Sequence, residues 1–242
     1  MRQLHVPPLT KTNKTILIVL AGAFLLQSIL GLTTGIQLTP ILGLSSEGVL
    51  QGRVYQLFTY VLVQRNFFDF LFNALIFWFI GADLELRWGR KIFLTFLLTS
   101  VLGAALFYLG LSFTFFRDDM IFTFPMIGIS GMSYALLLAY GMIFSDRILT
   151  FMLIFPMKAK YFCGILAGIE LYMAIFSPYA KSAWGHLGAM ISGVIYLKLT
   201  SQVARGQGVG NWIKKYKKEN LKRKLTLIKN ESEEDKDPKY WQ

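Results

Sequence analysis

The chain has 242 residues, of which 54% are hydrophobic and only 16% charged, and its mean hydropathy is +0.48. A soluble domain carries about a quarter charged residues, so this composition excludes a soluble globular protein. The formal net charge of +11 gathers in the connections and the C-terminal tail, which suits anionic lipid headgroups rather than nucleic acid.

A membrane-spanning helix needs roughly 20 mostly apolar residues, and six runs read as spans. The first, 15–36, is "TILIVLAGAFLLQSILGLTTGI", with Lys11 and Lys14 just ahead of it. No compact cleavage site follows a short apolar core, so it reads as a retained helix and not as a signal peptide. The second, 67–82, ends in "GADLELRWGRK"; the third is 92–116. The fourth, about 128–145, opens on "GISG" shortly after Pro125. The segment "ILTFMLIFP", 148–156, is too short to span and is expected at the surface, closed by Pro156. The fifth and sixth spans are 157–176 and 183–199.

An even number of spans leaves both ends on one side, and basic residues mark the cytoplasm. Arg2, Lys11 and Lys14 precede the first span, and Arg87, Arg90, Lys91, Arg147, Lys158 and Lys160 follow the second and fourth. The tail adds "KKYKK" and "KRK". The other side is poorer: Arg53, Arg65, Arg117 beside Asp118 and Asp119, and Lys181. The expected organisation is a cytoplasmic arm over 1–14, a membrane domain over 15–203, and a cytoplasmic tail over 204–242. That tail is basic, then acidic, with the composition of a flexible extension. Cys163 is the only cysteine, which excludes an intrachain disulfide and a multi-cysteine metal site. No cofactor is expected.

Polar side chains inside spans are costly and point to function. Here they are Asp69, Asn73, Ser130, Ser133, Glu170 and His186, and the only other histidine is His5 in the N-terminal arm. Each has a bland explanation. Gly128 and Gly131 around Ser130 could serve helix packing, Asn73 could bond a neighbouring helix, and His186 could bond a carbonyl. Glu170 has no obvious partner and reads as structural or lipid-edge. The combination carries more. A serine nucleophile needs a base, and a neutral histidine supplies one. Ser130 opens a helix, where backbone N–H groups lack acceptors and favour negative charge. That is half of an oxyanion hole, and the Asn73 amide could complete it. The small residues Gly185, Gly188, Ala189 and Gly193 would let the sixth span approach the fourth.

With "GISG", a histidine in a glycine-rich last span, and "QLFTYVLV…FFDFLFNALIFWFIGADLELRWG" between residues 56 and 89, the chain resembles the rhomboid intramembrane serine proteases over about 50–200. The resemblance implies an all-α membrane protein, a six-transmembrane-helix bundle with a short central fourth helix. It implies Ser130 as nucleophile and His186 as base in a dyad without a third acid, with Tyr134 stacked on the histidine. Asn73 and the Ser130 N–H would hold the oxyanion in a cavity open to the non-cytoplasmic side. The partners implied are transmembrane protein substrates that unwind near small or helix-breaking residues.

Several positions depart from the family pattern. Ala189 stands where glycine is usual after the histidine. Asp69 replaces the histidine usual four residues before the second-span asparagine; ionised, it donates no hydrogen bond and repels an oxyanion, whereas protonated it could donate. Gln64 replaces another histidine, and Tyr55-Gln56 a Trp-Arg pair. The alternative to a protease is an inactive rhomboid-like protein that binds transmembrane clients. A transporter is disfavoured, because the ionisable residues form no relay across the bilayer. The short chain, without an organelle-targeting arm or seventh span, points to a bacterial inner membrane.

Overall fold

The computed structural model describes residues 8–114, 125–149, 157–177 and 180–204. Residues 1–7 of the expected N-terminal arm, the Arg117–Asp119 connection, residues 150–156 and the tail from 205 lie outside the described residues. The chain divides into two units, Met1–Tyr196 and Leu197–Gln242. The described part of the second is the end of the last helix.

Helix α1, Lys11–Thr34, starts on Thr10, whose side chain accepts from the Asn13 N–H. Most of its length is bare: Ile18, Val19, Leu25, Leu26, Ile29 and Leu32 are exposed, as expected of a surface that meets hydrocarbon. Its polar N-terminus is tied down by side-chain hydrogen bonds. Asn13 Nδ2 donates to Glu85 Oε2 at 2.9 Å, and the Thr10 hydroxyl bonds the same oxygen.

Between α1 and the next long helix run three short helices, α2 (Thr39–Leu42), α3 (Ser46–Leu50) and α4 (Gln56–Thr59), with a tighter 3₁₀ turn at Tyr60–Leu62. Buried amides organise this loop, since backbone groups here have no regular ladder to join. Gln56, fully buried, accepts from the Ser45 N–H at 3.2 Å and donates to the Ile41 carbonyl at 3.2 Å. Gln64 is also fully buried. Its N–H donates to Gln27 Oε1, and its carbonyl accepts from Gln27 Nε2, which fastens the loop to α1. Two of the departures from the family pattern are therefore structural amides.

Helix α5, Phe67–Ile76, passes through a wide π turn at Phe77–Gly81 into α6, Ala82–Trp88. Together they form one apolar helix of 22 residues. The helix runs past the expected end near 82 because its charged last turns find partners. Glu85 meets Asn13, and Asp83 forms an ion pair with Arg147 at 2.7 Å. It ends at Gly89, whose φ of 78° is one that L side chains avoid.

Helix α7, Arg90–Thr114, is buried along Phe93, Phe96, Ala104, Ala105 and Tyr108. Helix α8, Ser130–Ile143, has only 14 residues and buries Ser133, Leu136, Leu137 and Tyr140, with α5, α7 and α9 against it. Strands β1 (Ile148–Leu149) and β2 (Met157–Lys158) pair antiparallel, so the part of 148–156 that is described forms a hairpin edge. Helices α9, Ala159–Phe176, and α10, Ala180–Ala204, complete the fold.

Small residues set the approach of α10. A β-carbon on Gly188 would fall 2.5 Å from Phe107 Cβ, and one on Gly103 would fall 2.2 Å from Ser192 Cβ. Among the described residues, α1, α5–α6, α7 and α9 are long and apolar enough to cross a membrane, and α8 is a shorter apolar helix.

Candidate active site

The backbone ahead of α8 is held in place before the helix begins. Met126 and Leu44 exchange both backbone hydrogen bonds, at 2.7 and 2.9 Å, and the Gly128 N–H donates to the Tyr60 carbonyl at 3.0 Å. Gly128 then adopts φ 103°, a region that strains any residue with a β-carbon. That bend delivers Ser130 as the first residue of α8. No side chain caps this helix, so the N–H groups of its first turn have no intrahelical acceptor. The positive end of the helix dipole lies at this terminus, beside Ser130.

A cavity of about 220 Å³ opens beside this helix start, lined by Arg65, Asp69 and Asn73, by Ser130, Ser133 and Tyr134, and by Glu170, Ser182 and His186, with apolar walls from Phe72, Ile76, Leu137 and Met173. Asn73 Nδ2 donates to Ser130 Oγ at 3.3 Å, and also to the Asp69 carbonyl and to Asp69 Oδ1. The Ser130 hydroxyl donates to Asp69 Oδ1 at 3.2 Å. Asp69 owes its position to the start of α5, where the Asn66 side chain caps the helix by accepting the Asp69 N–H at 2.9 Å. Arg65 reaches across the mouth and donates to the Ser182 hydroxyl at 2.9 Å.

His186 approaches from α10. Its ring lies on that of Tyr134, with centroids 4.9 Å apart and planes tilted by 30°. A β-carbon on Gly131 would stand 3.4 Å from Ala189 Cβ and 3.7 Å from His186 Cδ2. Both are ordinary van der Waals distances, so α8 and α10 lie close together here with Ala189 standing where glycine is usual. Cδ2, the ring carbon bonded to Nε2, is the imidazole atom beside Gly131 in the first turn of α8. The opposite nitrogen, Nδ1, lies 2.8 Å from Glu170 Oε2.

Every residue singled out for the site therefore lies in one place: Ser130, His186, Asn73, Asp69 and Tyr134 line the cavity, and Gly128 and Gly131 shape the backbone around the serine. Glu170 is different. In the sequence it has no obvious partner and reads as structural or lipid-edge, yet it is 6% exposed and bonded to the histidine. The available hint was its isolation, as the one acidic residue in an apolar span. The isolated Cys163 is a packing residue: its Sγ donates to the Leu137 carbonyl.

The constellation combines a hydroxyl at a helix N-terminus, an amide donor beside it and an imidazole across a cavity. These are the parts a serine hydrolase assembles. No curated protein matches the chain. The model of the Rhomboid domain matches residues 51–203, which is most of the chain and includes each of these side chains, and the protein belongs to the rhomboid family.

Proposed function

We propose that the protein is an intramembrane serine endopeptidase that cleaves peptide bonds in or near transmembrane segments of membrane proteins. Ser130 is the nucleophile and His186 the base that takes its proton. Asn73 Nδ2 and the Ser130 backbone N–H are the oxyanion donors, and Tyr134 sets the plane of the imidazole. The observation that carries this assignment is the meeting of Ser130, Asn73 and His186 at one cavity. An amide 3.3 Å from the serine oxygen can follow the charge as the tetrahedral intermediate forms. One such donor is typically worth about a hundredfold or more in rate.

In this proposal six helices cross the bilayer: α1, α5–α6, α7, α8, α9 and α10. The central α8 is too short to span fully, so its N-terminus and the serine sit below one membrane surface, reached by water from the non-cytoplasmic side. Both termini are cytoplasmic, in a bacterial inner membrane. A substrate helix enters after unwinding locally, because an intact helix keeps its carbonyls bonded and out of reach of the serine.

The rival proposal is an inactive family member that binds transmembrane clients. It draws support from the bond between the Ser130 hydroxyl and Asp69, which occupies the serine and places a carboxyl beside the expected oxyanion. Labelling of purified protein with a fluorophosphonate probe separates the two. A protease is labelled only when both Ser130 and His186 are present, and Ser130→Ala abolishes cleavage of a transmembrane reporter without loss of fold. Folded wild type that takes no label overturns the protease proposal in favour of the client-binding one.

A further inference from the structure

We propose that Glu170 is a positioning residue of this catalytic centre, holding His186 in one tautomer and orientation through the contact between Oε2 and Nδ1; this role rests on the protease proposal above. The placement of Glu170 argues against a passive part. Its neighbours in α9, Ile169 and Leu171, are about half exposed on the outer face, while Glu170 turns inward and is almost wholly buried. A carboxyl in an apolar span is costly unless it is paired. The partners it has belong to the site: His186 Nδ1 at 2.8 Å, and the hydroxyl of Tyr134, the same ring that stacks on the histidine.

The chemical consequence follows from donor and acceptor roles. An ionised carboxyl can only accept, so Nδ1 of a neutral His186 carries the proton and Nε2 presents its lone pair. Cδ2, the ring carbon bonded to Nε2, lies beside Gly131, the residue after Ser130 at the start of α8. When Nε2 takes the proton from Ser130 Oγ as Oγ bonds to the substrate carbonyl carbon, the ring becomes an imidazolium. Its charge then faces a carboxylate. The proton later passes from Nε2 to the leaving amine and restores the neutral ring. Glu170 holds and offsets charge throughout and does not itself accept the proton, the part an acid plays behind the histidine of a soluble serine protease. Here the acid comes from a neighbouring span, sixteen positions before the histidine.

The test uses the full-length protein in detergent, as wild type, Glu170→Gln and Glu170→Asp, with Ser130→Ala as the blank. Three quantities are read: the rate of fluorophosphonate labelling, kcat and KM on a transmembrane reporter, and the tautomer of His186 from ¹⁵N-histidine NMR. The chain has only two histidines, so His5→Ala assigns the signal. Glu170→Gln is expected to lower kcat and the labelling rate together, roughly 30-fold to 10³-fold, short of the ~10⁴-fold loss known for a triad aspartate replaced by its amide. KM should stay within about twofold. Glu170→Asp, which keeps the charge, should recover part of the loss.

In wild type, neutral His186 should carry its proton on Nδ1, and Glu170→Gln should shift it toward Nε2. Wild type that labels through Ser130 and His186 while Glu170→Gln labels at the same rate overturns the role of Glu170 and leaves the protease proposal standing. Folded wild type that takes no label overturns both. Should Glu170→Gln not fold, the wild-type tautomer decides, and a proton on Nε2 overturns the inference.

Discussion

If the protein is the protease proposed above, replacing Asp69 by asparagine should make cleavage faster. Asp69 Oδ1 is 3.2 Å from Ser130 Oγ and 3.2 Å from Asn73 Nδ2, so an ionised Asp69 would lie beside the developing oxyanion. Two unit charges at 4 Å repel by roughly 4 kcal/mol at an effective dielectric constant of 20, or about a thousandfold in rate. The oxyanion charge is shared with its donors, so the expected gain for Asp69→Asn is about tenfold to a hundredfold in kcat. Part of that gain comes from Asn73, whose amide is divided among the Asp69 carbonyl, Asp69 Oδ1 and Ser130 Oγ, because a neutral amide oxygen at 69 competes for it less strongly than a carboxylate. An amide at position 69 also adds a donor.

The cost lies in the fold. Asp69 is in the first turn of α5, behind the Asn66 cap, where a negative charge stabilises a helix by about 0.3–1 kcal/mol. That loss is smaller than the expected gain at the transition state, so the variant should be slightly less stable and clearly more active. The assay is kcat on a transmembrane reporter together with the fluorophosphonate labelling rate and the melting temperature; Asp69→His should preserve or raise activity in the same assay. A tenfold fall in both rates for well-folded Asp69→Asn would refute the reasoning. It would mean that Asp69 takes part in the chemistry, for instance as the group that receives the Ser130 proton it already faces.

Three other outcomes follow from the packing and the surface. Glu85→Ala removes the acceptor shared by the buried Asn13 amide and the Thr10 hydroxyl, leaving them only each other, and should cost about 1–3 kcal/mol in reversible unfolding from mixed micelles. Gly188→Ala sets a β-carbon 2.5 Å from Phe107 Cβ and 3.0 Å from the Gly103 carbonyl, so α10 must move off α7. A destabilisation of about 1–3 kcal/mol is expected, with slower labelling of Ser130 because His186 moves too. Beside the β1–β2 pair, Lys160 foremost, then Lys158, holds the exposed Asp146 carboxyl below the usual carboxylate range. Its contribution is fully present above the ordinary carboxylate pKa and is lost as pH falls through the lowered one. NMR titration should show that depression, and molar salt should remove it.

What the sequence made legible were features that need few neighbours to interpret. Apolar runs of sufficient length located the long helices to within a few residues, because the bilayer sets their length whatever they pack against. Ser130 opening a helix was legible too: glycine at 128 and 131 and proline at 125 are local instructions, and the bend at Gly128 obeys them. Harder to see was where the second span ends. The partners that extend it to Trp88 are Asn13, 72 positions before Glu85, and Arg147, 64 positions after Asp83.

Glu170 was hidden for the same reason in a sharper form. Whether a lone glutamate in an apolar helix faces lipid or protein depends on the rotation of that helix, and an apolar sequence carries little periodicity to reveal it. α9 has bulky apolar residues on most sides, and the glycines at 164 and 168 meet no neighbouring atom within 4 Å. The rotation is set instead by α8, where a β-carbon on Gly141 would fall 2.8 Å from Cys163 Cβ. Cys163 and Glu170 are seven residues apart, two turns along one face. The close packing that buries the cysteine against Gly141 therefore also turns the carboxyl inward toward His186. In this span the packing contact and the polar contact are one rotation, which is why neither could be assigned from its own residue.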